Sequence, residues 1–276
     1  MSSMLTIDNH TCIGCGECAM DCPFGLISLV EGLPTMDRER ESHCIQCQHC
    51  MAICPTGALS IHGINPMNSQ VLSSGLPNKD QLALLMKGRR SIRRYQKEPV
   101  AQAQIQFLMK TIAYAPTGIN NRQVRYTLID NPQVMDAFRS ETYTVLQAKM
   151  ANGLPPAMAH LEESIRQHME TGRDTIFRGA PHFLIASAPK NSPSPEIDCH
   201  IGLTYFELLA ASMGLGTVWA GLAKWALTAL APEILTRLDI PDSHVVGYMM
   251  AFGKPAVSYY RTVQRENTSV CRITSL

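Results

Sequence analysis

From Lys79 onward the apolar positions recur at three- and four-residue spacings: Leu82, Leu85 and Met86, then Ile105, Leu108, Met109 and Ile112. That period turns one face of an α-helix toward a core, so helices are expected over both stretches. Shorter apolar runs at Tyr126 to Ile129, His182 to Ala188 and Val245 to Phe252 fit strands, with helices between them. The run from Ile201 to Leu235 is the most hydrophobic in the chain, but Glu207, Gly214, Gly216 and Lys224 interrupt it. A membrane span needs about 20 nearly uninterrupted apolar residues. A buried core helix followed by a loop is therefore expected there, in a domain of α+β or α/β type.

The chain before Lys79 follows a different rule. Eight of the ten cysteines fall in two copies of one pattern, Cys12, Cys15, Cys18, Cys22 before Pro23 and Cys44, Cys47, Cys50, Cys54 before Pro55, an internal repeat of 32 residues. Three thiolates spaced by two residues can wrap one cubane, while the fourth, beside a proline, reaches the other cluster. The expected ligand sets are Cys12, Cys15, Cys18 and Cys54 for one 4Fe-4S cluster and Cys22, Cys44, Cys47 and Cys50 for the other. A disulfide framework needs an oxidising compartment and gives no reason for the doubled pattern; zinc sites usually show two separated C-x2-C pairs. Gly14, Gly16 and Gly57 suit tight wrapping, with N–H groups aimed at sulfur. The segment resembles bacterial-type two-cluster ferredoxins across residues 1 to about 62. His43 and His49 read as surface-turn residues, and Cys199 and Cys271 as ordinary buried or surface thiols.

After Ile61 come Gly63, Asn65, Pro66, Asn68, Ser69, Ser73, Ser74, Gly75 and Pro77, turn formers with little periodicity. The chain is thus expected to divide into a cluster domain at 1–62, a linker at 63–78 and a second domain at 79–276. Met1 to His10 has neither a basic stretch nor an apolar core, so no secretory signal is expected and a cytoplasmic location follows. Lys plus Arg number 24 against 23 acidic residues. Nothing in that balance argues for nucleic acid or an anionic membrane as partner.

Four features of the second domain bear on chemistry. Arg89, Arg90, Ser91, Ile92, Arg93, Arg94 and Tyr95 cluster guanidinium groups with a hydroxyl, a cradle for phosphate or else a solvated basic face at a helix end. The loop Ala115 to Gln123 offers amide side chains and accessible backbone to the polar edge of a heterocycle. Gly214 to Gly221 reads as a small-residue loop able to lie against a flat ring. Gly253, Lys254, Pro255, Tyr260, Arg261 and Arg265 return positive charge after the last strand.

Taken in this order, the four features resemble the FMN-dependent nitroreductase family over roughly residues 81 to 265. The resemblance implies an α+β fold, a central sheet flanked by helices, and a homodimer with two flavins at its interface. It implies that Arg89, Arg90, Ser91 and Arg93 bind the FMN phosphate, ribityl chain and ring edge. It also implies a loop donated by the partner subunit, here Pro116, Thr117 and Asn120 or Asn121, with Gln123 after them. Trp219, Ala220 and Gly221 match the segment whose backbone borders the flavin near N5, and Arg261 a late phosphate ligand. The loop departs from the family's commonest form by one extra residue between proline and glutamine, and by Arg122 and Val124.

A two-cluster carrier fused to a flavin domain implies an electron wire feeding a two-electron catalyst. The acceptor expected is a small organic molecule such as a nitroaromatic, quinone or activated alkene; the donor expected is reduced ferredoxin, flavodoxin or NAD(P)H. Two other outcomes fit the same parts: a module passing electrons between FMN and a protein partner, and a flavin-modifying or dehalogenating relative. No G-x-G-x-x-G follows a strand. No acid–base dyad stands out, and His160, Glu162, Glu163 and His168 read as a solvated helix face.

Overall fold

In a computed structural model the described residues are 4–72, 75–266 and 268–275. Met1 to Ser3 of the amino-terminal stretch and Ser73 and Ser74 of the expected linker lie outside them. The chain forms two compact units, one of residues 1–77 with Ile119–Asn121, the other of 78–118 and 122–276.

The first unit is built twice over. Strand β1 (Leu5–Ile7) leads to helix α1 (Glu17–Met20), then to the hairpin β2 (Ile27–Val30) and β3 (Leu33–Met36). Helix α2 (His49–Ala52) follows, then β4 (Leu59–Ile61), which pairs antiparallel with β1. The 32-residue repeat reaches the backbone. Positive φ recurs at Gly14 and Gln46 (64° and 55°), Gly16 and Gln48 (78° and 61°), and Gly25 and Gly57 (57° and 67°). Glycine is required at Gly14 for a second reason, since an added Cβ would lie 2.9 Å from the Gly32 carbonyl oxygen. Leu5, Leu26, Ile27, Met36, Met51, Leu59 and Ile61 form a small core together with Cys18 and Cys50. Within the expected linker, Pro66–Asn68 make a short 3-10 turn capped by the Asn65 side chain.

The second unit is α+β. Its sheet runs β5-β6-β8-β7, all neighbours antiparallel, with β5 at Arg125–Ile129, β6 at His182–Pro189, β7 at Gly216–Trp219 and β8 at His244–Gly253. Residues of β6 alternate between two cores, Phe183 and Ile185 facing one, Leu184, Ala186 and Ala188 the other. Helices α5 (Pro132–Ala151) and α6 (Ala159–Thr171) supply the first core; α4 (Gln102–Ile112) and α7 (Pro195–Ser212) supply the second. Helices on both faces bury β6 from His182 to Ala188 and β8 from Met249 to Gly253, which is why β6 reads as a nearly continuous apolar run.

Two expectations are corrected. The loop expected at Gly214 to Gly221 is mostly the edge strand β7, entered through a left-handed Gly214, with helix α8 (Gly221–Trp225) after it. A four-residue strand is too short to show a period. The rest of the apolar run becomes a π turn at Ala226–Leu230 and helix α9 (Pro232–Thr236) rather than a loop. Helix α3 (Lys79–Gly88) opens on a capping box between Asn78 and Gln81 and has no buried residue. Among the described residues no helix is long and apolar enough to cross a membrane.

Candidate cofactor sites

Two cavities in the first unit divide the eight thiols. One of about 340 Å³, measured to its open mouth, is lined by Cys12, Cys15, Cys18 and Cys54 with Ile7, Pro34 and Leu59. The other, about 360 Å³, is lined by Cys22, Cys44, Cys47 and Cys50 with Leu26, Ile27 and Met36. None of the eight is in a disulfide. Burial pushes the Cys50 thiol up to about 12, and Cys47, Cys44 and Cys22 add like charge beside it. Such a set ionises fully only around a positive body. Among the described residues no three His, Cys, Asp or Glu side chains close on a single ion. Four thiols spread around a common space suit a cubane instead, whose irons take one cysteine each, so the residues fit the clusters. Further donors reach the sulfurs: the Leu26 N–H donates to Cys22 Sγ at 3.4 Å, and Thr56 Oγ1 lies 3.7 Å from Cys54 Sγ. His43 and His49 are exposed, His49 Nδ1 sitting 3.4 Å from Asp21 Oδ2.

In the second unit the arginine segment is sewn to the sheet edge. Ser91 bridges Thr217 in parallel, and the Ile92 N–H donates to the Thr217 carbonyl at 2.8 Å. Gly216 permits this approach, because a Cβ there would lie 2.5 Å from Ile92 Cγ1. Further along, the Gln96 N–H donates to the Lys254 carbonyl and the Ala256 N–H to the Arg94 carbonyl, both at 2.9 Å. The half-buried Tyr95 hydroxyl donates to the Ile92 carbonyl at 2.9 Å, with the Ala251 carbonyl 3.2 Å away sharing the same hydrogen. Arg89 to Arg94 thereby lie between β7 and the chain that leaves β8.

The guanidinium groups are differently placed. Arg89 Nη1 donates to Glu207 Oε1 of α7 at 3.0 Å, and the same oxygen accepts from Thr217 Oγ1 at 3.3 Å. Arg90 Nη2 donates to the Lys87 carbonyl, whereas its Nε is buried with no partner. Arg93 Nη1 donates to its neighbour Ser91's carbonyl. Arg178, left-handed at φ 62°, has its ordinary value lowered by burial and by the Arg93 charge, with Asp174 opposing. A buried orphan N–H and two like charges acting on each other suit a bound anion. Arg89 and Arg90 also border a groove of about 1210 Å³ shared with Leu85, Pro255 and Tyr259. Arg261 is exposed in the irregular chain after β8.

Trp219 closes the same edge strand, with Ala220 and Gly221 leading into α8. Its ring stacks on His200 of α7 at 5.8 Å and meets Tyr248 edge-on at 5.2 Å. His200 Nδ1 bonds to the Glu196 carbonyl at 2.6 Å, which makes Nδ1 the protonated nitrogen, and Lys224 Nζ sits 5.1 Å above the Tyr248 ring.

The loop at 116–123 is strained. Ile119, Asn120 and Arg122 all have positive φ, at 47°, 57° and 48°, a geometry costing roughly 1–3 kcal/mol per residue. It is pinned where Asp198 Oδ1, buried at the start of α7, accepts from the Gly118 N–H at 3.0 Å. Thr117 Oγ1 accepts from the Arg122 N–H, and Gln123 Oε1 from Ser192 Oγ. Asn120, counted with the first unit, donates to the Ile45 carbonyl there.

The sequence reading missed Arg178, Asp198, His200, Glu207, Lys224 and Tyr248. Glu207 and Asp198 had a signal, since an acid inside an apolar helix must find a donor. His168 stacks on Tyr143 at 3.6 Å rather than lying on a solvated face.

Residues 86–254 match the nitroreductase family and residues 11–59 a 4Fe-4S dicluster domain. An NADH dehydrogenase of Thermus thermophilus is 25% identical over 68% of this chain and 93% of its own length. An iodotyrosine deiodinase of Thermotoga neapolitana is 22% identical over 49% of this chain and 70% of its own. Among solved structures, a nitroreductase with bound FMN from Bacteroides fragilis superposes with a TM-score of 0.56 at 20% identity, over 71% of this chain and all of that one. At that identity the likeness speaks for the fold, but the family match spans more than half of the chain. This protein belongs to the nitroreductase family and carries a 4Fe-4S dicluster domain ahead of the nitroreductase domain.

Proposed function

We propose that the chain is an iron–sulfur flavoprotein oxidoreductase in which electrons entering through two 4Fe-4S clusters are used at an FMN to reduce an organic acceptor. The observation carrying this reading is the division of eight thiols into two four-cysteine cavities within a nitroreductase-family chain. FMN bound in the second unit supplies hydride chemistry at N5. Arg90, Ser91, Arg93 and Arg261, with Arg178 added, hold its phosphate and ribityl chain, and Arg89 is steadied for the same task by Glu207. Trp219, Ala220 and Gly221 border the ring, and Pro116, Thr117, Asn120 or Asn121, and Gln123 form the loop that each subunit lends to close over its partner's flavin. His200 and Tyr248 fix the face that Trp219 presents.

The acceptor class is a nitroaromatic, quinone or activated alkene, and the donor is reduced ferredoxin, flavodoxin or NAD(P)H. The likeness to iodotyrosine deiodinase supports a second reading, reductive dehalogenation at the same site. A homodimer is supported by the apolar surface left uncovered, Leu84 and Met86 on α3 and Tyr259, Tyr260, Val263, Val270 and Ile273 after β8. A cytoplasmic location suits eight cluster-binding thiols, which need a reducing compartment.

The test is anaerobic mixing of the holoprotein with reduced ferredoxin or with NAD(P)H while flavin absorbance is followed. Bleaching by reduced ferredoxin that Cys15→Ser and Cys47→Ser abolish is the expected result. Failure of both donors to bleach the flavin, or full ferredoxin-driven turnover in the two variants, overturns the reading.

A further inference from the structure

The 32-residue repeat makes each half of the first unit a control for the other, and two side chains break it beside a sulfur. His62 Nε2 lies 3.7 Å from Cys44 Sγ. The pair 32 residues earlier is Val30 and Cys12, where no such bond is possible. Thr56 Oγ1 lies 3.7 Å from Cys54 Sγ, and there the earlier pair is Phe24 and Cys22. By the ligand sets above, Cys44 belongs to one cluster and Cys54 to the other, so each cluster has one side-chain donor of its own and the donors differ.

His62 is held for this contact. It follows β4 in a tight turn in which His62 and Gly63 are both left-handed, at φ 53° and 71°, and the Ile64 N–H closes back on the Ile61 carbonyl. The His62 N–H donates to the Met4 carbonyl at 2.9 Å, which fixes the residue's backbone beside β1. A cluster-bound thiolate has no proton to give, so the bond must run from Nε2–H to sulfur. The imidazole is half-buried, while Thr56 is exposed, so solvent competes for its hydroxyl.

We infer that His62 and Thr56 are positioning residues that set the two clusters to unequal reduction potentials, the cluster on Cys22, Cys44, Cys47 and Cys50 being the higher. This rests on the proposed ligand sets. When a cluster gains one electron no bond forms or breaks; negative charge grows on the sulfurs, and a donor aimed at sulfur favours the reduced form. An electron in the pair therefore rests on the His62 side.

The experiment is an anaerobic redox titration of the full-length holoprotein, followed by electron paramagnetic resonance, with iron and sulfide counted on the same samples. His62→Leu is expected to shift the reduction equilibrium of one cluster about tenfold toward the oxidised form, about 59 mV for a one-electron couple. The other cluster stays put, and His62→Gln, which keeps an N–H, restores most of the shift. Thr56→Val moves the opposite cluster, by less. Equal shifts of both clusters, no shift, or failure of the glutamine to restore overturns the inference. If His62→Leu loses a cluster, His62→Gln against Thr56→Val still decides, because the two must act on different clusters. Fewer than about four irons per wild-type chain would instead overturn the ligand sets themselves, whatever the histidine does.

Discussion

Arg89 and Glu207 meet at 3.0 Å although 118 residues separate them, the carboxylate lying 8% exposed on α7 and the guanidinium 27%. The pair joins the arginine segment to the helix that also pins the 116–123 loop through Asp198 and stacks on Trp219 through His200. One helix thus orients all three proposed flavin-facing parts. Glu207→Gln keeps an acceptor but removes the charge, so Arg89 turns toward water. The expected outcome is a loss of about 1–3 kcal/mol of stability and roughly tenfold weaker FMN binding, about 1.4 kcal/mol. Flavin fluorescence quenching during reconstitution measures the second. An unchanged dissociation constant would mean that Arg89 takes no part in holding the cofactor.

The proposed cluster ligands cross between the repeats, and this is testable without a structure of the loaded protein. Cys54→Ser should behave like Cys12→Ser, and Cys22→Ser like Cys44→Ser, because the cavities group them so. Each variant should keep about four of about eight irons, and paramagnetic resonance should sort the variants into those two pairs. Pairing by sequence repeat instead, with Cys54 beside Cys44, would refute the crossed assignment.

The cysteine spacing carried the first unit because metal chemistry tolerates few alternatives, and the long strands carried the sheet because most of β6 and β8 is apolar, Phe183 to Ala186 and Met249 to Phe252 without a break. What escaped the sequence was pairing across distance. Nothing in Gly216–Trp219 distinguishes an edge strand from a loop until Ser91 and Ile92 are seen bonded to Thr217. Likewise Arg178 looks like any surface arginine, and only the fold sets its charge against that of Arg93. His62 was illegible for a related reason, since its proposed role depends on a contact with Cys44 Sγ, 18 residues away, that only the fold shows.

Gly216 is expected to be a sensitive position for function. A Cβ there would lie 2.5 Å from Ile92 Cγ1 and 2.8 Å from Ile92 Cβ, so Gly216→Ala must push the arginine segment off β7. Overpacking of this kind costs about 1–3 kcal/mol, and the displaced segment carries Ser91 and Arg93. The variant should fold with a lowered melting temperature and purify with less FMN per chain than the wild type. Comparable flavin content in the two proteins would show that the segment's distance from β7 does not govern binding.

His182 gives the sheet a pH dependence whose sign follows from its surroundings. It begins β6 fully buried, its Nε2 accepts the Val100 N–H at 2.9 Å, and its ring stacks on Phe252 at 5.0 Å. Burial lowers its ordinary value, against an opposing pull from Asp130. A base with a depressed folded value is neutral in the fold, while the open chain takes up a proton below about 6.5. Stability is therefore fully present above that pH and falls as the pH drops toward the folded value, by at most about 1.4 kcal/mol per unit. Glutamine at this position can still accept the Val100 N–H but cannot take the proton. Hydrogen exchange of the β6 amides in the intact protein should show protection falling between pH 6.5 and 5.5 in the wild type. The fall should be shallower in His182→Gln. Equal slopes in the two proteins would place the acid sensitivity of the sheet on other groups.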